Sequence, residues 1–109
     1  MANRFQVLDV SLELVVVLRP IVEHISRHDR DLANQLRRAA TSVPSNISEG
    51  AQRTAKDRLH FYRIGAGSAA EVRTQLKVAI AWGAIEAPAV ELALGLLDRI
   101  LAMLWKLTH

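Results

Sequence analysis

The sequence predicts an all-α protein, an antiparallel up-down-up-down four-helix bundle in a single domain. Apolar residues recur at spacings of three and four along four separate stretches, whereas no stretch alternates apolar and polar residues as a β-strand does. Half of the residues are hydrophobic and only five are Gly and three Pro, which is typical of helical globular proteins. Because 109 residues are enough for one core, residues 1–109 are predicted to form one domain.

The first helix is predicted over residues 5–26 and carries apolar residues on two faces. The first face is predicted to line the core and holds Leu8, Leu12, Val15, Leu18, Val22 and Ile25. The second face holds Val10, Leu14, Val17 and Ile21. Because the second face would be left in water unless another surface covered it, this helix is also predicted to serve an interface between copies. Pro20 is expected to kink or divide the helix.

The second helix is predicted over residues 30–50, and a proline stands inside it. Asp29 or Asp31 can cap its start by accepting free amide hydrogens, and Gly50 is the predicted stop. Pro44 removes one backbone hydrogen bond and clashes with the preceding turn, at a cost of about 3 kcal/mol, so neighbouring contacts must compensate for it. The predicted core face consists of Leu32, Leu36, Ala39, Ala40, Val43 and Ile47.

The third helix is predicted over residues 54–82, from a capping-box-like start at Thr54 to a stop near Gly83. Gly65 and Gly67 lie in its centre, where each glycine costs about 1 kcal/mol relative to alanine. The close approach of a neighbouring backbone would explain such small residues. A packing role is favoured over a phosphate-binding loop, because such a loop needs a strand-to-helix turn.

The fourth helix is predicted over residues 88–107, with Pro88 in its first turn. It again has two apolar faces. One face holds Val90, Leu94, Leu97, Leu101 and Leu104, and the other holds Leu92, Leu96, Ile100, Met103 and Leu107. The first and fourth helices would be neighbours in the bundle, so their surplus apolar faces would form one continuous surface, which predicts a homo-oligomer.

The middle of the chain is basic although the whole chain has a formal charge of only +3. Residues 37–77 contain eight Lys or Arg against three acids, a local excess of 8 − 3 = +5. Such a segment is compatible with RNA, DNA or another acidic partner, the alternative being an ordinary solvated helix face. The candidates for phosphate contact on the second and third helices are Arg37, Arg53, Lys56, Arg58, Arg63, Arg73 and Lys77.

Residues suited to catalysis or to cofactor binding are scarce. The absence of cysteine excludes disulfides, thiolate metal sites and thiol catalysis. The serines have no evident histidine base, and His24 and His28, one helical turn apart, lack further metal ligands nearby. The five aromatic residues are expected in the core or at an interface, without an interleaved stacking platform for bases. The sequence thus predicts a non-enzymatic protein without metal or cofactor.

Targeting features are also missing from the sequence. The first residues do not read as a secretory signal, and the longest apolar runs, residues 14–18 and 92–97, are far shorter than a membrane span. Together with the lack of cysteine, this favours a cytoplasmic protein that does not cross a membrane.

Polar residues repeat at helical spacing beside the core faces of the second and third helices. The members of this predicted structural polar network are Arg38, Ser42, Asn46, Glu49, Ser68 and Glu71. The expected pairs are Arg38 with Glu71, Asn46 with Ser68, and Glu49 with Arg63. Such a network would favour one register and one oligomeric state, while a ligand site is the alternative.

A family resemblance rests on this same part of the chain. Residues 36–50, with the core Ser-x-Pro-x-Asn-Ile-x-Glu-Gly, and then residues 56–57, 61–64, 67–71 and 75–76, resemble a bacterial four-helix-bundle family. Its founding members are encoded in 23S rRNA intervening sequences. The resemblance implies a ring-like homopentamer without known enzymatic activity.

The accessory variability determinant of diversity-generating retroelements is similar as well, and it is a basic pentamer that partners a reverse transcriptase and binds nucleic acid. The resemblance therefore predicts a nucleic-acid-associated homo-oligomer. The alternative is a structural scaffold that recruits a protein partner such as a reverse transcriptase.

Overall fold

The computed structural model describes residues 4–109, which form four α-helices and one short 3₁₀ turn. The helices are α1 (Arg4–Ser26), α2 (Arg30–Ala51), α3 (Ala55–Ala81) and α4 (Glu91–Thr108), and the turn Ala87–Val90 leads into α4. Both α1 and α3 pack against α2 and α4, as the helices of an antiparallel four-helix bundle do. The predicted all-α fold is therefore confirmed.

The helix ends follow the predicted capping residues in part. The Asp29 carboxylate accepts a hydrogen bond from the Leu32 amide at 3.0 Å and so caps α2. Thr54 stands at the start of α3 with extended backbone, but its side chain makes no capping bond, so the predicted capping box is wrong. Gly83, with a φ of 76°, follows the end of α3 in a conformation that favours glycine. Pro88 is the second residue of the 3₁₀ turn, and α4 itself begins at Glu91, three residues later than predicted.

The core face of α1 takes residues from both predicted faces, Leu18 and Ile25 from the first and Val10, Leu14 and Ile21 from the second. The buried residues of α1 are Val7, Val10, Ser11, Leu14, Leu18, Ile21 and Ile25. Leu12, predicted to be in the core, is 49% exposed, and Leu8, Val15 and Val22 are only partly buried. Because α1 is apolar around most of its circumference, the positions of α2 and α4 decide which face is covered. Pro20 does not divide α1, which continues through it.

The core face of α2 agrees closely with the prediction, whereas that of α4 does not. Of the predicted face of α2, only Leu32 is not fully buried. The buried face of α4 takes residues from both predicted stripes. It consists of Ala93, Leu96, Leu97, Ile100 and Leu104. Leu92 is 64% exposed and belongs to the surface.

Small residues bring α2 and α3 close together. Gly65 is buried, and a Cβ there would lie 3.7 Å from the Asn46 Cβ and from the Val43 carbonyl oxygen. A Cβ at Gly50 would lie 2.7 Å from Cε1 of Tyr62, whose side chain is buried. The predicted close approach is confirmed at Gly65 but is wrong at Gly67, where a Cβ would meet nothing within 4 Å.

Pro44 is surrounded by polar side chains that bond to the backbone of α2. The Thr41 hydroxyl donates to the Arg37 carbonyl at 2.9 Å, the Ser45 hydroxyl donates to the Thr41 carbonyl at 2.9 Å, and the Asn46 amide donates to the Ser42 carbonyl at 2.8 Å. Each side chain thus reaches a carbonyl one turn earlier. These bonds reach the carbonyls of Arg37, Thr41 and Ser42, and not that of Ala40, whose helical donor is missing because Pro44 has no amide hydrogen.

One polar contact joins α2 to α3 directly. The hydroxyl oxygens of Ser42 and Ser68 lie 2.8 Å apart, and the Asn46 amide also donates to the Ser42 oxygen at 2.9 Å. The expected pairing of Asn46 with Ser68 is therefore wrong, because the register of the two helices places Ser42 opposite Ser68.

The other two expected pairs are also wrong. Glu49 binds Arg53, which follows the end of α2, at 2.9 Å instead of Arg63. Glu71 accepts a hydrogen bond from the Gln75 amide at 3.1 Å, and Arg38 has no ion-pair partner within residues 4–109. Long polar side chains on a helix surface meet partners three or four residues away most easily, which explains why bonds within one helix replace those expected between helices.

None of the helices described for residues 4–109 has both the length and the apolar content needed to cross a membrane.

Replacing Gly50 with alanine is expected to lower the free energy of unfolding by about 1–3 kcal/mol, because the added Cβ would overlap the buried ring of Tyr62. The matched control is Gly67→Ala, at an open position in a helix interior, where alanine is expected to raise the free energy of unfolding by up to about 1 kcal/mol. Urea denaturation followed by circular dichroism, at one protein concentration, measures both changes. Similar effects of the two substitutions would contradict the close packing at Gly50.

Ser42→Ala is expected to lower the free energy of unfolding by about 1 kcal/mol, because it removes the hydroxyl bonded to Ser68 and Asn46. In a double-mutant cycle with Ser68→Ala, we expect a coupling of about 0.5–1.5 kcal/mol. The control is Ser45→Ala, which removes an exposed hydroxyl bonded only within α2 and is expected to change stability by less than about 0.5 kcal/mol. Strictly additive effects at Ser42 and Ser68 would show that the contact does not stabilise the protein.

Candidate nucleic-acid interface

Three exposed cations form a line along α3. Lys56, Arg63 and Lys77 are separated by seven and fourteen residues, so each lies on nearly the same side of the helix. At 1.5 Å per residue the line extends over about 31 Å. None of the three has an ion-pair partner among residues 4–109. We call these three residues the α3 basic stripe.

Three other basic candidates are engaged in local contacts. Arg73 lies next to the stripe, and its Nη1 is 3.4 Å from an Asp98 carboxylate oxygen of α4. Arg53 pairs with Glu49, and its guanidinium carbon lies 5.3 Å from the centroid of the Phe61 ring. Arg58 is partly buried and donates from Nη2 to the Arg53 carbonyl at 2.9 Å. Contact with phosphate would require these side chains to share or leave their present partners.

The seventh candidate, Arg37, lies on a different side of the molecule. It lines an open groove of about 650 Å³ between α1 and α2. The polar lining of this α1/α2 groove includes Arg19, Arg30 and Glu23, and its apolar lining includes Leu18, Val22 and Ala33. Arg19 and Arg30 are not among the residues predicted from the sequence, because both precede the basic segment that begins at Arg37. Arg19 and Arg30 are also far from each other in the sequence, so the sequence did not predict that they line the same groove.

An exposed aromatic stack lies at the end of α4. The rings of Trp105 and His109 are nearly parallel, at 20°, with their centroids 3.4 Å apart. Trp105 is 62% exposed and Trp82 is 80% exposed, so neither belongs to the core, whereas Tyr62 is fully buried as expected. The sequence could have indicated this stack, because Trp105 and His109 are four residues apart, a spacing at which side chains of a helix and its cap meet.

The pair formed by His24, at the end of α1, and His28, in the turn after it, lacks further metal ligands among the described residues. The rings of His24 and His28 have their centroids 5.6 Å apart. Within residues 4–109, no group of three or more His, Cys, Asp or Glu side chains is arranged to hold a metal ion.

Comparison with known proteins supports this fold and identifies the family. A protein from the S23 ribosomal protein family of Bacteroides thetaiotaomicron VPI-5482, itself described as having unknown function, is similar with a TM-score of 0.83 and 22% identity over 94% of this chain and 97% of that chain. At this identity the likeness shows the fold alone. A search of the curated proteins finds no significant match. The model of the family described as 23S rRNA-intervening sequence protein matches residues 3–106. The chain therefore belongs to the 23S rRNA-intervening sequence protein family, as the resemblance of its second and third helices predicts.

Proposed function

We propose that this chain is a non-enzymatic helical scaffold that assembles into a homo-oligomer, a pentamer, and binds the phosphate backbone of RNA or DNA through the α3 basic stripe. The observation that carries the proposal is the line of three exposed cations without an acidic partner. We place this function in the cytoplasm, since a chain without cysteine needs no oxidising compartment.

The stripe has the chemistry of a backbone reader. Lysine and arginine side chains bind phosphates without reading the base sequence, and each contact releases counterions from the nucleic acid. Because Lys56, Arg63 and Lys77 have no ion-pair partner in the part of the chain that the structure describes, binding a phosphate does not require one of these pairs to break. Five chains, each with a charge of +3, would carry 5 × 3 = +15, which would steer an anionic polymer toward the ring.

The proposed self-association rests on exposed apolar side chains of α1. Phe5, Leu12 and Val16 are 69%, 49% and 60% exposed and are spaced by seven and four residues, so they share one side of the helix, which we call the α1 apolar ridge. The helix α4 packs beside α1, and its Leu92 is also largely exposed. Burying such surface against another copy stabilises an assembly by about 25 cal/mol for each Å² of apolar area removed from water.

A second candidate function is recruitment of a protein partner such as a reverse transcriptase, and the α1/α2 groove favours it. Arg19, Arg30 and Arg37 surround a partly apolar floor with a single acid, Glu23, among them. This combination fits an acidic amphipathic helix better than a bare phosphate backbone, because the floor needs apolar side chains from its partner. Capture of such a partner would survive nuclease treatment, which distinguishes the two functions.

Removal of the α3 basic stripe is expected to weaken nucleic-acid binding and its salt dependence together. For the variant K56A/R63A/K77A, the slope of log K against log salt on duplex DNA is expected to fall by about 0.9 for each phosphate that is no longer neutralised, or about 2–3 in all. The control R27A/R38A/R99A removes the same charge from exposed positions outside the stripe and is expected to keep most of the slope. Fluorescence anisotropy over a series of salt concentrations provides the measurement. Equal losses of affinity in both variants would argue against the stripe, and no binding by the unchanged protein at low salt would refute the function.

Charges on the α1 apolar ridge are expected to dissociate the oligomer without unfolding the bundle. L12E/V16E would place two carboxylates in the proposed interface, where their desolvation opposes association. I64E/V78E, which changes two partly exposed apolar residues of α3, is the matched control and is expected to stay assembled. Sedimentation velocity gives the mass, and circular dichroism verifies the helices. A monomeric unchanged protein, or dissociation of the control alone, would overturn the assignment of the interface.

A further inference from the structure

The aromatic stack of α4 lies at the level of Arg63 on the neighbouring helix. The contact between Arg73 and Asp98 places these two residues at about the same level of the antiparallel helices α3 and α4. From that contact, Arg63 is ten residues back along α3, or about 15 Å, and Trp105 is seven residues forward along α4, or about 10 Å, in the same direction. The two residues therefore differ by about 5 Å along the bundle axis, and both are exposed.

The structure holds the stack in place and leaves room beside it. Nδ1 of His109 lies 3.1 Å from the Trp105 carbonyl oxygen and 3.0 Å from the Thr108 hydroxyl, so in the tautomer protonated at Nδ1 it donates to the carbonyl and keeps the imidazole over the indole. Gly67 of α3, between the levels of Arg63 and Arg73, is exposed and has open space where a side chain would stand. A planar group near the stack would thus meet little steric obstruction from α3.

A π surface beside cations suits unpaired bases. Aromatic side chains bind the faces of successive bases of a single strand, and neighbouring cations bind the phosphates that connect them. In a duplex the base faces are already stacked on one another, and exposing one requires unpairing it. A protein with such a surface makes contacts with a single strand that a duplex does not offer.

We infer that Trp105 and His109 form a base-stacking platform beside Arg63, so that the protein prefers single-stranded nucleic acid to duplex. This inference rests on the proposed binding through the α3 basic stripe and adds the class of nucleic acid to it. Phosphates on either side of the stacked base would contact Lys56 and Arg63.

The chain contains its own control for an exposed indole. Trp82 is the only other tryptophan in the sequence, is more exposed than Trp105, and follows the end of α3. It stands five residues after Lys77, hence about 140° around the helix axis from that lysine, and about 100° from Arg63. Trp82 thus has the same chemistry without the cationic neighbours on its own side.

The first test measures affinity with fluorescein-labelled (dT)₂₀ and with a 20-base-pair duplex at low salt. The unchanged protein is expected to bind (dT)₂₀ more tightly than the duplex. Trp105→Ala is expected to weaken binding of (dT)₂₀ by about 5- to 150-fold, the range found when a base-stacking aromatic is removed, and to change duplex binding by less than about 2-fold. Trp82→Ala is expected to leave both affinities unchanged.

The second test uses intrinsic fluorescence and does not depend on an alanine at position 105. In Trp82→Phe, Trp105 is the only indole, and unlabelled (dT)₂₀ is expected to quench its emission while the duplex does not. In Trp105→Phe, which keeps an aromatic ring, the emission of Trp82 is expected to stay unchanged and binding of (dT)₂₀ to be largely retained. Circular dichroism confirms that each variant is folded.

The outcomes separate this inference from the proposed function. If K56A/R63A/K77A abolishes binding of both ligands while Trp105→Ala changes neither, the stripe is retained and the stacking platform is refuted. Equal losses of affinity for single strand and duplex in Trp105→Ala, or an equal loss in Trp82→Ala, would also overturn the platform. No binding of either ligand by the unchanged protein would refute the proposed function itself.

Discussion

The close approach of α2 to α3 is the constraint on which the rest of the bundle depends. Gly50 lies against the buried ring of Tyr62, and Gly65 lies against the α2 backbone at Val43. A Cβ at Gly50 would overlap the Tyr62 ring, which packed interiors tolerate poorly, whereas a Cβ at Gly65 would reach ordinary van der Waals contact with α2. Because these contacts also fix the axial register, they decide that Ser42 meets Ser68 and which residues of α3 turn outward. The basic stripe is thus a consequence of packing on the opposite side of the same helix.

Polar side chains around the proline of α2 donate to backbone carbonyls of the same helix, although not to the Ala40 carbonyl that Pro44 leaves without its donor. Thr41, Ser45 and Asn46 each donate to a carbonyl one turn earlier, in the turns that Pro44 disturbs. Asn46 does more, since its amide also donates to the Ser42 hydroxyl that faces α3. The concentration of small polar residues that distinguishes this part of the sequence therefore has a structural explanation. It supports the helix locally and joins it to its neighbour.

The sequence predicted the helices well and the faces of α1 poorly, for a physical reason. Four periodic stretches with a capping residue at Asp29 leave little choice of secondary structure. The true core face of α1, however, contains Ser11, which is buried and whose hydroxyl donates to the Leu8 carbonyl at 2.7 Å. The predicted face that includes Leu12 is entirely apolar, but only its Leu18 and Ile25 belong to the true core. A hydroxyl bonded within its own helix costs little to bury, and hydropathy alone does not reveal this.

The polar contacts and the candidate site depend on the axial register between neighbouring helices, and the periodicity of a single helix does not predict that register. Residue types indicated a polar network and a basic surface, but only the axial alignment of two helices decides that Ser42 rather than Asn46 reaches Ser68. For the same reason the sequence did not show that Arg37 lies away from the α3 basic stripe, in the groove between α1 and α2. The proposed platform at Trp105 could not be predicted from the sequence either, because the level of Trp105 relative to Arg63 follows from a contact between α3 and α4.

The α1 apolar ridge and the α3 basic stripe lie on different sides of the bundle, so self-association and nucleic-acid binding can occur at the same time. Since α1 and α3 each pack against α2 and α4, they stand diagonally across the bundle. Assembly through the α1 apolar ridge would leave the α3 basic stripe of every copy facing away from that contact. Several weak phosphate-binding stripes held at fixed positions would then bind one long strand with an effective concentration that no single chain provides. A modest charge of +3 per chain is sufficient for a nucleic-acid-binding protein under this arrangement, because avidity rather than the affinity of one stripe determines occupancy.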